Sequence, residues 1–179
     1  MSNNLNQLAI FKKPIKLFNG KDSNFSFYDF FYNPAIITNN INNIPTNSEI
    51  LKNIKYLVND ILQPIYNRFG PIKIISGYKS IELSKFLNLP PSSHSFGQGV
   101  DFVLKNPNID NMILLNHVVQ CLKFKTIIAE HFPNGWIHIT YDLKNFDKVI
   151  KLKTDIYNYD ILTLSEINKL FNYVSTGIL

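Results

Sequence analysis

Residues 92–101, with the sequence SSHSFGQGVD, place a histidine and an aspartate seven positions apart. His94 stands in a stretch that follows two prolines and reads as a loop, whereas Asp101 stands in a run, Gly99–Leu104, that reads as a strand. Two glycines between them let the backbone turn tightly and approach other groups closely. The segment therefore predicts that an imidazole and a carboxylate converge near the start of a strand.

A second histidine lies in a predicted β-hairpin. Thr126–Phe132 and Trp136–Tyr141 read as strands on either side of Pro133-Asn134-Gly135, and Asn-Gly is a strong hairpin signal because both residues tolerate positive φ. Imidazole nitrogens and carboxylate oxygens are suitable zinc ligands, and three protein ligands leave a position for water, which is typical of catalytic zinc. A lone histidine is more often an ordinary surface or core residue, so spacing alone does not decide the matter. The candidate ligand set is His94, Asp101 and His138.

The rest of the chain reads as helices followed by strands with interposed helices. Apolar residues at helical spacing predict a long helix from Ser48 to about Phe69, stopped by Gly70-Pro71. The β-branched run Ile72–Ser76 reads as a strand. Further predicted helices are Phe25–Phe31, Ser80–Leu87, Ile109–Leu122 and Thr163–Val174. This order predicts an α+β fold with a small, mostly antiparallel sheet and flanking helices.

Length and composition favour one globular domain. The chain has 179 residues, of which 45% are hydrophobic and 17% charged, and this balance excludes a disordered chain. We divide it into an N-terminal extension (1–24), a central domain (25–145) and a C-terminal extension with a predicted helix (146–179).

Charge and hydropathy disfavour two classes of partner. The net charge of +5 comes from scattered lysines without a basic run interleaved with aromatics, so nucleic-acid binding is not expected. No stretch approaches the roughly 18 apolar residues of a membrane span, and the first residues lack the features of a signal peptide. Cys121 stands alone, which excludes a thiolate cluster as the metal site.

Four segments, taken together, resemble the D-alanyl-D-alanine carboxypeptidase family of zinc peptidases. This family includes VanY-like and VanX-like enzymes and some phage endolysins, and its fold is related to the hedgehog signalling domains. In chain order the segments are the aromatic residues from Phe27 with the long helix, residues 76–80 (SGYKS), residues 92–101, and Glu130 followed by residues 135–140 (GWIHIT). The resemblance covers roughly residues 25 to 145 and is strongest to small phage and prophage members.

The resemblance implies a role for individual residues. The three candidate ligands match the family's zinc ligands, which implies Zn²⁺ as the cofactor. Glu130 matches an acidic residue upstream of the last ligand and is the candidate general base, since a carboxylate can take a proton from water and later return it to the leaving amine. The candidate substrate-binding residues are Lys79, Ser92 and Trp136.

The hairpin departs from the family pattern at Gly135, where many members carry the catalytic acid three residues before the last ligand. The nearest acid is Glu130. A three-residue connection would place Glu130 opposite His138, whereas a two-residue turn would place His131 there, and a shift of one residue exchanges the faces of the strand. We favour Glu130 and leave His131 as the alternative.

Two further departures concern the substrate side of the site. Lys79 stands where the family has arginine, so the charge is kept and bidentate geometry is lost. Gly99 takes a place usually held by alanine, a change that we expect to be harmless.

The resemblance implies a zinc metallopeptidase that hydrolyses a peptide bond of peptidoglycan stem peptides, as a D,D- or L,D-carboxypeptidase or an endopeptidase of endolysin type. We expect synthesis in a cytoplasm and action on the cell wall after release or as part of a virion. The alternative is a catalytically weakened zinc-binding module of the same fold, which serves a structure or virion assembly through other virion proteins.

Overall fold

A six-stranded mixed sheet organises the residues that the computed structural model describes, which are 10–153, 160–163 and 165–169. Its strands lie in the order β3-β4-β6-β5-β7-β8, and a separate antiparallel pair joins β1 to β2. Within the sheet, β5 and β7 run parallel and the other described neighbours run antiparallel. The strands are β1 (Pro14–Lys16), β2 (Asp22–Ser26), β3 (Ile72–Ser76), β4 (Gly99–Leu104), β5 (Thr126–Glu130), β6 (Trp136–Thr140), β7 (Val149–Lys153) and β8 (Asp160–Leu162). The predicted α+β class is confirmed, and the sheet is mixed.

The helices pack their apolar residues into the same core as the sheet. They are α1 (Phe27–Phe31), α2 (Pro34–Thr38), α3 (Ser48–Leu57), α4 (Gln63–Phe69), α5 (Ile81–Phe86) and α6 (Asn111–Cys121). A π-helical turn, Val58–Leu62, joins α3 to α4, so the predicted long helix is continuous until Gly70. Of the helix predicted over Thr163–Val174, residues 165–169 are helical, and 164 and 170–174 lie outside the described residues. No helix in the described part of the chain has both the length and the apolar character to cross a bilayer.

Side-chain alternation gives the central strands one buried face and one face that carries polar groups. Phe102 of β4 and Ile137 of β6 are fully buried, and they are directly paired across the two strands. Ala129 of β5 pairs with Ile137 and is also fully buried. Successive side chains in a strand point to opposite sides, so Asp101 and His138 project from the other face. The hydrophobic pattern of the strands therefore decides which face the polar groups share.

The sheet continues past residue 145. Residues 149–153 (VIKLK) alternate apolar and polar side chains, and Ile150 and Leu152 are buried in the core as β7 pairs with β5. This alternation is the ordinary signal of a half-buried strand. At the other end of the chain, Ile15 of β1 is also buried in the core. The domain limits at 25 and 145 remain predictions, while core residues lie on both sides of them.

Removal of the Phe102 ring tests the buried face of the sheet. Phe102 is fully buried in a central strand, so Phe102→Ala leaves a cavity and is expected to lower the free energy of unfolding by about 3–5 kcal/mol. Ile161→Ala, at a side chain that is 70% exposed, is the matched control and should change it by less than about 0.5 kcal/mol. Urea unfolding curves measure both. Equal effects of the two substitutions would contradict the assignment of faces.

Candidate metal centre

The predicted ligands converge on the polar face of the sheet. Asp101 of β4 and His138 of β6 are directly opposite each other in the antiparallel register, and His138 Nδ1 lies 2.6 Å from Asp101 Oδ1. His94 lies in a 3₁₀ turn, Ser93–Phe96, that leads into β4, and its Nε2 is 3.5 Å from the same oxygen. One ligand atom from each side chain falls within 4.8 Å of the other two. The structure thus brings together the three residues that the sequence singled out.

A backbone carbonyl orients His94. The Nδ1 of His94 lies 2.7 Å from the carbonyl oxygen of Gly77, just after β3. A carbonyl only accepts, so Nδ1 carries a proton, and Nε2 is the ring nitrogen that faces Asp101 and is available to a metal when it is deprotonated. A Cβ atom at Gly77 would lie 2.6 Å from the backbone of Phe30, so this carbonyl can reach the histidine only because residue 77 is glycine.

The carboxylate of Asp101 is the charged centre of the cluster. Burial alone would raise its pKa, but the hydrogen bonds from His138 and His94 and the charges of these imidazoles hold the pKa of Asp101 well below its usual range. The side chains of Asp101 and His138 are only 16% and 15% exposed. The cluster therefore offers an ionised oxygen and two nitrogens in a largely desolvated position.

The donor set fits a divalent metal ion. Two ligands at about 2.0–2.1 Å from one tetrahedral ion lie about 3.3 Å apart. The separation of 3.5 Å between His94 Nε2 and Asp101 Oδ1 is close to this value. The 2.6 Å contact of His138 is a hydrogen bond that a metal would replace. Two imidazole nitrogens and one carboxylate oxygen form a group that could hold a metal ion, and imidazole suits zinc, copper, iron and nickel.

The hairpin places Glu130 on the same face as the ligand cluster. Five residues, 131–135, connect β5 to β6, so neither of the two shorter turn lengths applies. Glu130 is opposite Trp136, and Ile128 is opposite His138. His131 lies in the connection, where its ring packs against Trp136 at 5.0 Å between centroids. The alternation of side chains therefore aims Glu130 towards the polar face, two residue pairs along the ladder from His138.

Gly135 leaves no room for an acidic side chain. A Cβ atom at this position would overlap the carbonyl oxygen of Glu130. The turn is also tied to α6, because the Asn111 side-chain amide donates to the Gly135 carbonyl at 3.0 Å. The position that holds the acid in the resembled family is thus sterically closed in this chain.

A lysine from β7 contacts the candidate base. Lys153 lies opposite Glu130 in the parallel register of β5 and β7, and its Nζ is 3.3 Å from Glu130 Oε2. The two side chains are 15% and 12% exposed, respectively. Sequence reasoning missed Lys153, although the alternation in VIKLK is a strand signal that could have placed it on a polar face.

Lys79 lies beside the cluster, in the segment that follows β3. Its Nζ donates to the Ser76 hydroxyl at 2.5 Å, and Ser76 is opposite Asp101 in the register of β3 and β4. Burial lowers the pKa of Lys79, and the negative charge of Asp101 acts in the opposite direction. This lysine therefore faces the cluster as a point charge that Asp101 attracts.

The other predicted site residues have different surroundings. Ser92 is exposed at the start of the 3₁₀ turn, and its carbonyl accepts from the Ser95 amide at 2.8 Å. Trp136 is half-buried beside Glu130. An alanine at Gly99 would overlap the Ser93 side chain, so glycine at this position is matched to the turn that carries the first ligand.

Comparison with known proteins does not identify this chain. No protein-family model matches it, and no curated protein matches it. What is known of its site therefore comes from the arrangement of its own side chains. The three candidate ligands come from the 3₁₀ turn, β4 and β6, and their side chains meet in one cluster.

Loss of any one ligand is expected to weaken metal binding. His94→Ala, Asp101→Ala and His138→Ala should each lower the affinity for Zn²⁺ by more than the roughly 10–100-fold that loss of an outer-shell partner costs. His117→Ala is the matched control, because that imidazole packs against Phe69 with ring centroids 5.1 Å apart. Calorimetric titration of the metal-free protein measures the affinity. Unchanged binding in all three variants would contradict this assignment.

Proposed function

We propose that this protein is a zinc-dependent peptidase that hydrolyses a peptide bond in the stem peptides of bacterial peptidoglycan. The main support is the cluster of His94, Asp101 and His138, in which the Gly77 carbonyl orients the His94 ring. The proposal includes membership of the D-alanyl-D-alanine carboxypeptidase family and its hedgehog-like fold. It also includes action on the wall after release from the cytoplasm or as part of a virion.

The proposed chemistry is hydrolysis assisted by a general base. A zinc ion held by His94, Asp101 and His138 would lower the pKa of a bound water to about 7 and would polarise the scissile carbonyl. Glu130 accepts the proton of the attacking water at a carboxylate oxygen and returns it to the leaving amine. Glu130 and His138 are diagonal neighbours on β5 and β6, and residues so placed lie about 7–8 Å apart, so the proposed mechanism places the attacking water between Glu130 and the ligand cluster.

Lys153 has a supporting place in this scheme. Its ion pair with Glu130 holds the carboxylate over the polar face of the sheet, where both groups are shielded from solvent. Breaking such a pair is costly, because removal of one partner leaves the other charge buried without compensation. Lys153 is therefore a positioning residue in the proposed mechanism.

The substrate side of the proposal uses Lys79, Trp136 and Ser92. Lys79 lies next to the cluster and can bind a carboxylate or a developing oxyanion of the substrate as a point charge. Trp136 offers an aromatic wall beside Glu130. Ser92 borders the turn that carries His94. These positions support a peptide substrate with an anionic group near the scissile bond.

Digestion of purified peptidoglycan tests the activity. The zinc-loaded protein is expected to release new amino groups from the wall, and a chelator should abolish this release while added Zn²⁺ restores it. Labelling of the released amino groups, followed by mass spectrometry of the fragments, measures the reaction and identifies the bond. A protein that binds zinc and releases no amino groups would contradict the proposed enzyme.

Substitution of Glu130 tests the base. Glu130→Gln keeps the shape and removes the proton acceptor, so kcat should fall by about 10²–10⁴-fold while zinc stoichiometry stays unchanged. Glu82→Gln, at an exposed acid on α5, is the matched control and should retain full activity. Full activity of Glu130→Gln would show that another group takes the proton.

A second candidate function is a metal-binding module without catalysis, for a structural role or for virion assembly. The closed position at Gly135 and the ion pair that engages Glu130 favour it. This module would gain thermal stability on zinc binding, because a ligand that binds only the folded state stabilises that state. It would show no chelator-sensitive hydrolysis, so the digestion experiment separates the two functions.

A further inference from the structure

A cavity of about 280 Å³ is lined by residues of the 3₁₀ turn that carries His94 and of strands β5 and β6. Two of its lining residues adjoin metal ligands: Ser93 precedes His94, and Thr140 is two positions after His138 on β6. Two residues of a strand span about 6.5–7 Å. Since an extended peptide residue spans at most about 3.6 Å, a side chain one or two residues from the scissile carbonyl reaches the cavity.

Two aromatic residues, Phe96 and Tyr141, line this cavity. Phe96 is 55% exposed at the end of the turn that carries His94, and its carbonyl is bound by the Asn53 side-chain amide at 2.9 Å. Tyr141 is buried, and its hydroxyl donates to Asp60 at 2.5 Å. Its ring also stacks on Tyr56, with centroids 6.0 Å apart. The backbone of Phe96 and the ring of Tyr141 are therefore held in place before a ligand arrives, which lowers the entropic cost of binding.

The polar lining of the cavity favours an anion. Lys125 and Gln98 line it, and the lining residues that the structure describes include no acid. Lys125 Nζ is 3.4 Å from Asp142 Oδ2, and the lysine side chain is 41% exposed. The other oxygen of Asp142 accepts from the Lys144 amide at 3.0 Å, so Asp142 keeps a partner if Lys125 turns towards a ligand. An exposed, long ion pair of this kind contributes little and is readily exchanged.

We propose that this cavity is a specificity subsite for a carboxylate-bearing residue of the peptide substrate, with Lys125 as its anion-binding group. The apolar stem of the residue packs between Phe96 and Tyr141, and its carboxylate meets Lys125 and the Gln98 amide. This inference rests on the proposed peptidase function and narrows its substrate class to acidic peptides. It adds a second cationic contact to that of Lys79, on a different side of the ligand cluster.

The experiment compares muropeptides whose free carboxylates are intact with the same muropeptides converted to amides. The zinc-loaded wild type should show at least about tenfold higher kcat/KM on the free carboxylates, since a hydrogen bond to a charged group is worth a factor of this size or more. Lys125→Met should lose most of this preference through a raised KM, and Lys125→Arg should retain it. Lys52→Met, at an exposed lysine on α3, is the control and should behave as the wild type.

Each outcome decides the inference. If Lys125→Met keeps the preference for free carboxylates, another group such as Lys79 makes the discrimination, and the subsite is overturned. A wild type that shows no preference between the two substrates also overturns it. If the wild type cleaves neither substrate, the proposed function fails, and calorimetric binding of the two muropeptides to the zinc-loaded protein tests the cavity alone. Tighter binding of the free carboxylates that depends on Lys125 supports the subsite, and equal binding overturns it.

Discussion

The cross-strand pairing of Asp101 with His138 is the constraint on which the site depends. Direct opposition in an antiparallel pair brings the side chains to the same face at contact distance. The buried partners one position away, Phe102 and Ile137, fix which face this is, because a slip by one residue would bury the polar pair and expose the apolar one. The energy that holds the cluster together therefore comes mainly from the hydrophobic face behind it.

The third ligand is held by groups that lie far from it in sequence. The Gly77 carbonyl fixes the ring of His94 and its tautomer, and this carbonyl can reach the ring because the backbone of Phe30 approaches Gly77 closely. The aromatic helix α1 thus supports the site as well as the core, and α3 supports the turn of His94 through the Asn53 amide, which donates to the Phe96 carbonyl. Outer contacts of this kind orient the ligands of metal sites and tune their basicity.

The hairpin between β5 and β6 decides what the cluster can do. Its five-residue connection puts Glu130 two residue pairs along the ladder from His138, and Lys153 of β7 contacts the Glu130 carboxylate from the next strand. The proposed hydrolysis requires Glu130 to reach a water molecule at the cluster. The same ion pair also restrains the Glu130 carboxylate. The two candidate functions therefore differ in whether Glu130 can act as a base: the peptidase requires it, and the metal-binding module does not.

Local sequence patterns predicted the helices and strands, whereas tertiary contacts decided how the side chains of the site are arranged. Helical periodicity and turn residues were sufficient for the helix from Ser48 to Phe69 and for the strands Ile72–Ser76 and Gly99–Leu104, since each depends on residues near one another in the chain. The candidate ligand set needed in addition the resemblance to a family of zinc peptidases, because His138 is 37 residues from Asp101 in the chain. The register of the hairpin was not readable, because the turn signal at Asn134-Gly135 is compatible with several connection lengths. The parallel neighbour of β5 was not readable either, because nothing in VIKLK states which strand it joins. Sequence by itself thus indicated which residues could hold a metal, whereas only the packed sheet decided that Lys153 meets Glu130, since β6 and two connections separate β5 from β7 in the chain.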